Sequence, residues 1–183
     1  MLAFRSNLLT RTLRNLVLLT VILGPFEPQG VHAQETSVVH HFIGVWEGHG
    51  ELFGSDAAFS MEWEWVLDER FVRLTFQNSV AGRDGTEGTL EAQAFYRPIG
   101  AAEFEGTWFD SRGVSLPLTG SVENATLTSL WGSPETEQGR TVYRLLHEDQ
   151  LEVEDFVLRG GEWHQFGHAI HTRLAETLSE KPR

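Results

Sequence analysis

Hydrophobic and polar residues alternate along most of the chain. Phe59, Met61, Trp63 and Trp65 are interleaved with Ser60, Glu62 and Glu64. Period two of this kind predicts a strand with one buried face and one wet face. Residues 71–77 repeat it, with Val72, Leu74 and Phe76 on one face and Arg73, Thr75 and Gln77 on the other. Paired with its predecessor, this strand would bring Arg73 against Glu62 or Glu64. Leu90, Ala92, Ala94 and Tyr96 follow the same rule, as do Phe104, Gly106 and Trp108. Further strands are expected at 114–122, 125–131, 140–146, 151–158 and 163–172. Turn chemistry separates them, for example Asp68-Glu69, Asp110-Ser111-Arg112-Gly113, Glu148-Asp149 and Gly160-Gly161. Pro117 would suit an edge, a bulge or a strand start.

The first strand is expected at 42–53, Phe-Ile-Gly-Val-Trp-Glu-Gly-His-Gly-Glu-Leu-Phe. Its Gly44, Gly48 and Gly50 mark bends or close backbone approaches, and Trp46 is large enough to plug the end of a curled sheet. About ten short strands with short links predict an all-β fold, an antiparallel up-and-down barrel. A two-layer sandwich is the alternative, but its crossovers need longer links.

Ahead of the strands, Arg5, Arg11 and Arg14 precede an apolar run at 16–24, and Val31-His32-Ala33 resembles a cleavage site. This order predicts a signal peptide at 1–33, a barrel domain at 35–173, a tail at 174–183 and a periplasmic or secreted product. A bilayer-spanning helix needs roughly 20 apolar residues, so no membrane insertion is expected after cleavage. A short helical turn at 35–41 is expected to plug the barrel. The chain has no cysteine, which removes disulfides, thiol catalysis and lipid attachment at a cysteine. A net charge of −12 argues against nucleic-acid partners and anionic membrane surfaces. A monomer or weak homodimer is expected.

Gly44-x-Trp46 together with Arg173 resembles the calycin signature. In lipocalins and their relatives, the Trp closes the base and a late Arg stacks over it. The resemblance therefore implies that Gly44, Trp46 and Arg173 close the barrel, through a cation–π contact. Residues 46–50 and 67–74, the hairpin at 108–113 and the strand from Arg140 resemble a bacterial family of exported proteins with a lipocalin-like barrel and no assigned activity. The Gly-x-Trp-x-Gly-x-Gly run of the first strand is also similar to that of nitrobindins, haem-binding barrels of the same broad group. That likeness implies haem ligation by a histidine on the last strand, which falls on His168.

Period two places His164, Phe166, His168, Ile170 and Thr172 on one face of the last strand, and Phe166 and Ile170 suggest that this face is inward. His168 would then be a haem ligand or a satisfied core histidine. Zinc between His164 and His168 is set aside, because i, i+4 on a strand spans about 13 Å. Glu62 with Glu64, Glu103 with Glu105, and Glu152 with Glu154 read as solvated faces, not acid/base pairs. Ser111 lacks a nucleophile elbow. No catalytic or metal-ligating residue is assigned. Three uses remain. The first is a binding module holding a small hydrophobic or flat molecule against Met61, Trp63, Trp65, Leu74, Phe76, Tyr96, Trp108 and Phe166. The second is a haem barrel with His168 as axial ligand, acting on nitrogen-oxide or peroxide species. The third is a structural protein with a filled interior.

Overall fold

The structure is a computed structural model that describes residues 39–82, 86–100 and 102–175. The expected signal peptide, most of the turn at 35–41 and residues 176–183 of the tail lie outside the described residues. Ten antiparallel strands run in sequence: β1 (Gly44–Leu52), β2 (Ser55–Val66), β3 (Phe71–Ala81), β4 (Glu87–Pro98), β5 (Glu103–Asp110), β6 (Ser115–Glu123), β7 (Thr126–Trp131), β8 (Gly139–His147), β9 (Gln150–Arg159) and β10 (Glu162–Arg173). Each pairs with its sequence neighbours, and β1 pairs with β10, so the sheet closes into an up-and-down barrel. The sandwich alternative is excluded.

Period two sets what faces inward. Phe59, Met61 and Trp63 of β2, Val72 and Leu74 of β3, and Ala92, Ala94 and Tyr96 of β4 are all buried. The polar positions between them form the outer face, where Arg73 Nε donates to Glu64 Oε1 at 3.0 Å. One end of the barrel, the base, holds the β2–β3, β4–β5, β6–β7 and β8–β9 connections. The other, the mouth, holds Phe53-Gly54, the β3–β4 loop, the β5–β6 turn and the loop between β7 and β8.

The base is packed solid. Val39 and Phe42, ahead of β1, are buried and seal it; Phe42 was expected to open the first strand instead. Trp46 is fully buried, and its indole donates to the Phe42 carbonyl at 2.8 Å. Arg173 lies opposite Trp46 in the β1–β10 register, with its guanidinium 4.0 Å from the Trp46 ring centroid. The same guanidinium donates to the carbonyls of His41 (2.6 Å), Glu148 (3.0 Å) and Ile43. One cation thus ties the plug, β1, β10 and the β8–β9 turn together.

The β1 glycines explain how the seam closes. Gly44 has φ +127°, and a Cβ there would lie 2.8 Å from Arg173 Nη1. A Cβ on Gly48 would lie 2.3 Å from the His171 ring, and one on Gly50 would lie 2.0 Å from the His168 carbonyl oxygen. These three glycines are required by close approach, because the inward side of β10 occupies the space their side chains would take.

Candidate functional site

Above the packed base the barrel is hollow. A cavity of about 190 Å³ lies in its upper half. Phe59, Met61, Phe76, Trp108, Leu118 and Val153 form an apolar wall. Phe59 and Phe76 pack at 6.3 Å between centroids, and Phe76 and Trp108 at 5.8 Å. The mouth carries an aromatic lip: Phe53 stacks on Phe166 at 4.9 Å, and Trp131 meets Phe166 edge-on at 6.4 Å. Beside the lip, Asp110 accepts from Arg112 Nη2 at 2.7 Å and from the Trp108 indole at 3.1 Å. These bonds, above all that from Arg112, hold the Asp110 carboxyl down at about 2.

The opposite wall is polar. On β9, Leu151, Val153, Asp155 and Val157 are the inward positions, so one carboxylate interrupts an apolar row. Thr141 Oγ1, from β8, donates to Asp155 Oδ1 at 2.6 Å. Oδ2 accepts no hydrogen bond from a described residue. Asp155 is half-buried and lines the cavity. Burial pushes its carboxyl up to about 6, with the Thr141 hydroxyl opposing the shift. Deeper in, the Tyr96 hydroxyl lies 3.3 Å from Ser129 Oγ. Burial pushes Tyr96 up to about 12 and raises Tyr143 as well, so both stay neutral phenols.

Of the residues expected to bind a ligand, Met61, Phe76, Tyr96, Trp108 and Phe166 do line the cavity. Trp63, Trp65 and Leu74 do not. Trp63 is packed between Phe42, Tyr96 and Tyr143, Leu74 is fully buried beside it, and Trp65 lies against His40 at the base. Alternation gives a residue's face but not its height along the barrel, and these three sit below the cavity floor.

The facing of the last strand is corrected. A bulge between Gln165 and Gly167 shifts the β9–β10 register. Phe166 still faces in, but beyond the bulge the inward residues are Gly167, Ala169 and His171, while His168, Ile170 and Thr172 face out. His168 borders the cavity at the bulge, yet its side chain is 47% exposed and its Nε2 lies 3.2 Å from Glu152 Oε1 on the outer surface. Haem ligation from inside the barrel through His168 does not fit this arrangement. Nor does the volume, since a porphyrin far exceeds about 190 Å³. The inward histidine is His171, seated over Gly48 and 5.7 Å from the Phe59 ring. It is 1% exposed, and neither ring nitrogen makes a hydrogen bond of normal geometry to a described residue. Burial, aided by nearby His49, pushes it down to about 4, so it is neutral at pH 7. Among the described residues, no group of three His, Cys, Asp or Glu is placed to hold a metal ion.

Nothing in the alternation marks Thr141 or Ser129, and Asp155 breaks it. The available signal was Asp155 standing at an apolar position of its strand.

No family's sequence profile matches the chain, and no curated protein matches it. Solved structures do. One is Rv2717c from M. tuberculosis, 14% identical with a TM-score of 0.58, covering 78% of this chain and 99% of that one. Another is the S-type phycobiliprotein lyase CPES from Guillardia theta, 7% identical with a TM-score of 0.55, covering 79% of this chain and 95% of that one. Together with the closed ten-stranded barrel, these matches fit a lipocalin-like fold. At such identities the likeness speaks for the fold alone.

Proposed function

We propose that this protein is an exported barrel that binds a small, flat, largely apolar molecule in its upper half. The observation that carries the reading is the cavity itself. Apolar residues form most of its wall, a few polar groups converge on one side, and the mouth is aromatic. This is the usual composition of a small-molecule site, where apolar burial supplies affinity at about 25 cal/mol per Å² and polar groups fix orientation. A volume near 190 Å³ suits one ring with a short substituent, since a dry cavity of about 150 Å³ takes up benzene. A lyase within the same fold is compatible with a pocketed barrel, but no reaction is assigned here. Export rests on the ordered basic, apolar and small-residue regions of the leader.

Thermal unfolding with a panel of single-ring compounds tests the binding reading. At a hundredfold excess over Kd, a ligand is expected to stabilise by about 2.7 kcal/mol and raise the melting temperature by roughly 5–10 °C. Ala169→Leu, which adds bulk at the cavity wall, should abolish the shift, and a cooperative unfolding transition of its own shows that the variant is folded. No shift with any ring, or an equal shift in the bulkier variant, would overturn the reading. N-terminal sequencing of the product from a Gram-negative host should begin at residue 34 or 35; an intact leader would refute export.

A further inference from the structure

We propose that the ligand of this cavity is a small monocyclic amine, its ring packed among Phe59, Phe76 and Trp108 and its ammonium on Asp155 Oδ2. The inference rests on the binding reading above and names the chemistry of the molecule bound.

The argument starts from the unpaired oxygen. Asp155 Oδ1 takes the Thr141 hydroxyl, and Oδ2 has no partner among the described residues. The charged and titratable side chains around the cavity are Arg112, Glu137, Tyr96, Tyr143, His168 and His171. Arg112 is the permanent cation among them, and it is bound to Asp110 at the mouth. The tyrosines are held neutral by burial, as is His171 at pH 7. His168 turns outward to Glu152. No cation therefore meets Asp155.

With its carboxyl at about 6, Asp155 is ionised in most molecules at neutral pH. An uncompensated carboxylate in such surroundings is costly to the folded state. A neutral ligand would desolvate it further, and an anionic ligand would repel it. A cation with N–H donors removes the cost and satisfies Oδ2 by a charge-assisted hydrogen bond. A bare metal ion is disfavoured, because no further ligands converge there among the described residues. The facing wall is aromatic and the volume admits one ring, so the cation must carry a compact apolar body. The net charge of −12 favours the approach of cations to the mouth.

Calorimetric titration of the purified chain with benzylamine, benzyl alcohol and benzoate at pH 7.5 tests this. Benzylamine should bind at least tenfold tighter than benzyl alcohol, and benzoate should not bind. Asp155→Asn should weaken benzylamine tenfold or more and remove its margin over benzyl alcohol, and a cooperative urea transition shows that the variant is folded. In the native chain, lowering the pH to 5 should weaken benzylamine about tenfold as the carboxyl takes up its proton. The pH arm decides the matter even where Asp155→Asn fails to fold. Benzyl alcohol binding as tightly as benzylamine, or amine affinity indifferent to both Asp155→Asn and pH, overturns the amine proposal and leaves the cavity reading standing. Failure of every ring compound overturns both.

Discussion

At the scale of single residues, the sharpest packing constraint is the seat of His171 on Gly48. A methyl group there would lie 2.3 Å from the imidazole, so either the ring or the β1–β10 ladder must give. Overpacking of this kind costs about 1–3 kcal/mol. Gly48→Ala is expected to lose that much in urea unfolding, and Gly48→Ala with His171→Ala should lose less than the two single changes combined. Strict additivity would show that the two residues do not share one space. This contact also marks the limit of what the sequence discloses. The glycine spacing announced close approaches, and they were found. What approaches was hidden, because a bulge two residues ahead of His168 exchanges the faces of the last strand. Period-two reading carries no information on register slips. Gly167, lying within an alternating run, was the one local hint. Asp155 was obscured differently: a polar residue at an inward position reads as a fault in the pattern until a cavity explains it.

At the scale of elements, the ten strands were legible because each buries one face and wets the other, but β2, β3 and β4 run three or four residues further toward the mouth than their alternation shows. Two junctions needed three dimensions. One is the β2–β3 turn, where Leu67, Asp68 and Glu69 all have φ between 55° and 57°, a left-handed path for three non-glycine residues. The other is the clasp at the base. The Trp46–Arg173 pair was expected from a resemblance, and the guanidinium lies 4.0 Å from the ring centroid. Its carbonyl partners at 41, 43 and 148 were beyond any pattern. Arg173→Ala removes the stacking and these hydrogen bonds together, for an expected loss of about 2–3 kcal/mol in denaturant melts. Arg173→Lys should recover part of it, since an ammonium keeps the charge but cannot serve three carbonyls from a planar fork. A variant as stable as the parent would show that the ladder alone closes the barrel.

At the scale of the whole molecule, two buried groups set opposite pH slopes. Asp155 titrates in the fold at about 6, above the ordinary value of about 3.9. Its contribution to stability is therefore complete below about pH 4 and is lost as pH rises through 6. His171 titrates at about 4, below its ordinary 6.5, so its contribution is complete above about 6.5 and is lost as pH falls toward 4. Each displacement corresponds to about 3 kcal/mol, and between pH 4 and 6 the two nearly cancel. The native chain should thus have a flat stability profile across that range. Asp155→Asn removes the falling limb, so its stability should climb by about 2 kcal/mol from pH 4.5 to 6.5 in urea melts. Parallel profiles for the two proteins would refute this assignment of the buried charges.

The notches at Gly44, Gly48 and Gly50 also bear on how the chain is made. The first strand leaves the ribosome more than a hundred residues before the last, and until then its outer rim lies bare. A generic strand meeting that rim finds gaps where side chains should interlock; β10, with Arg173, His171 and Ala169 in step, fills them. The opening strand is in effect a lock cut for the closing one. In the closed barrel the fit also fixes the register, because a slip of β10 along β1 would take Arg173, His171 and Ala169 out of their seats.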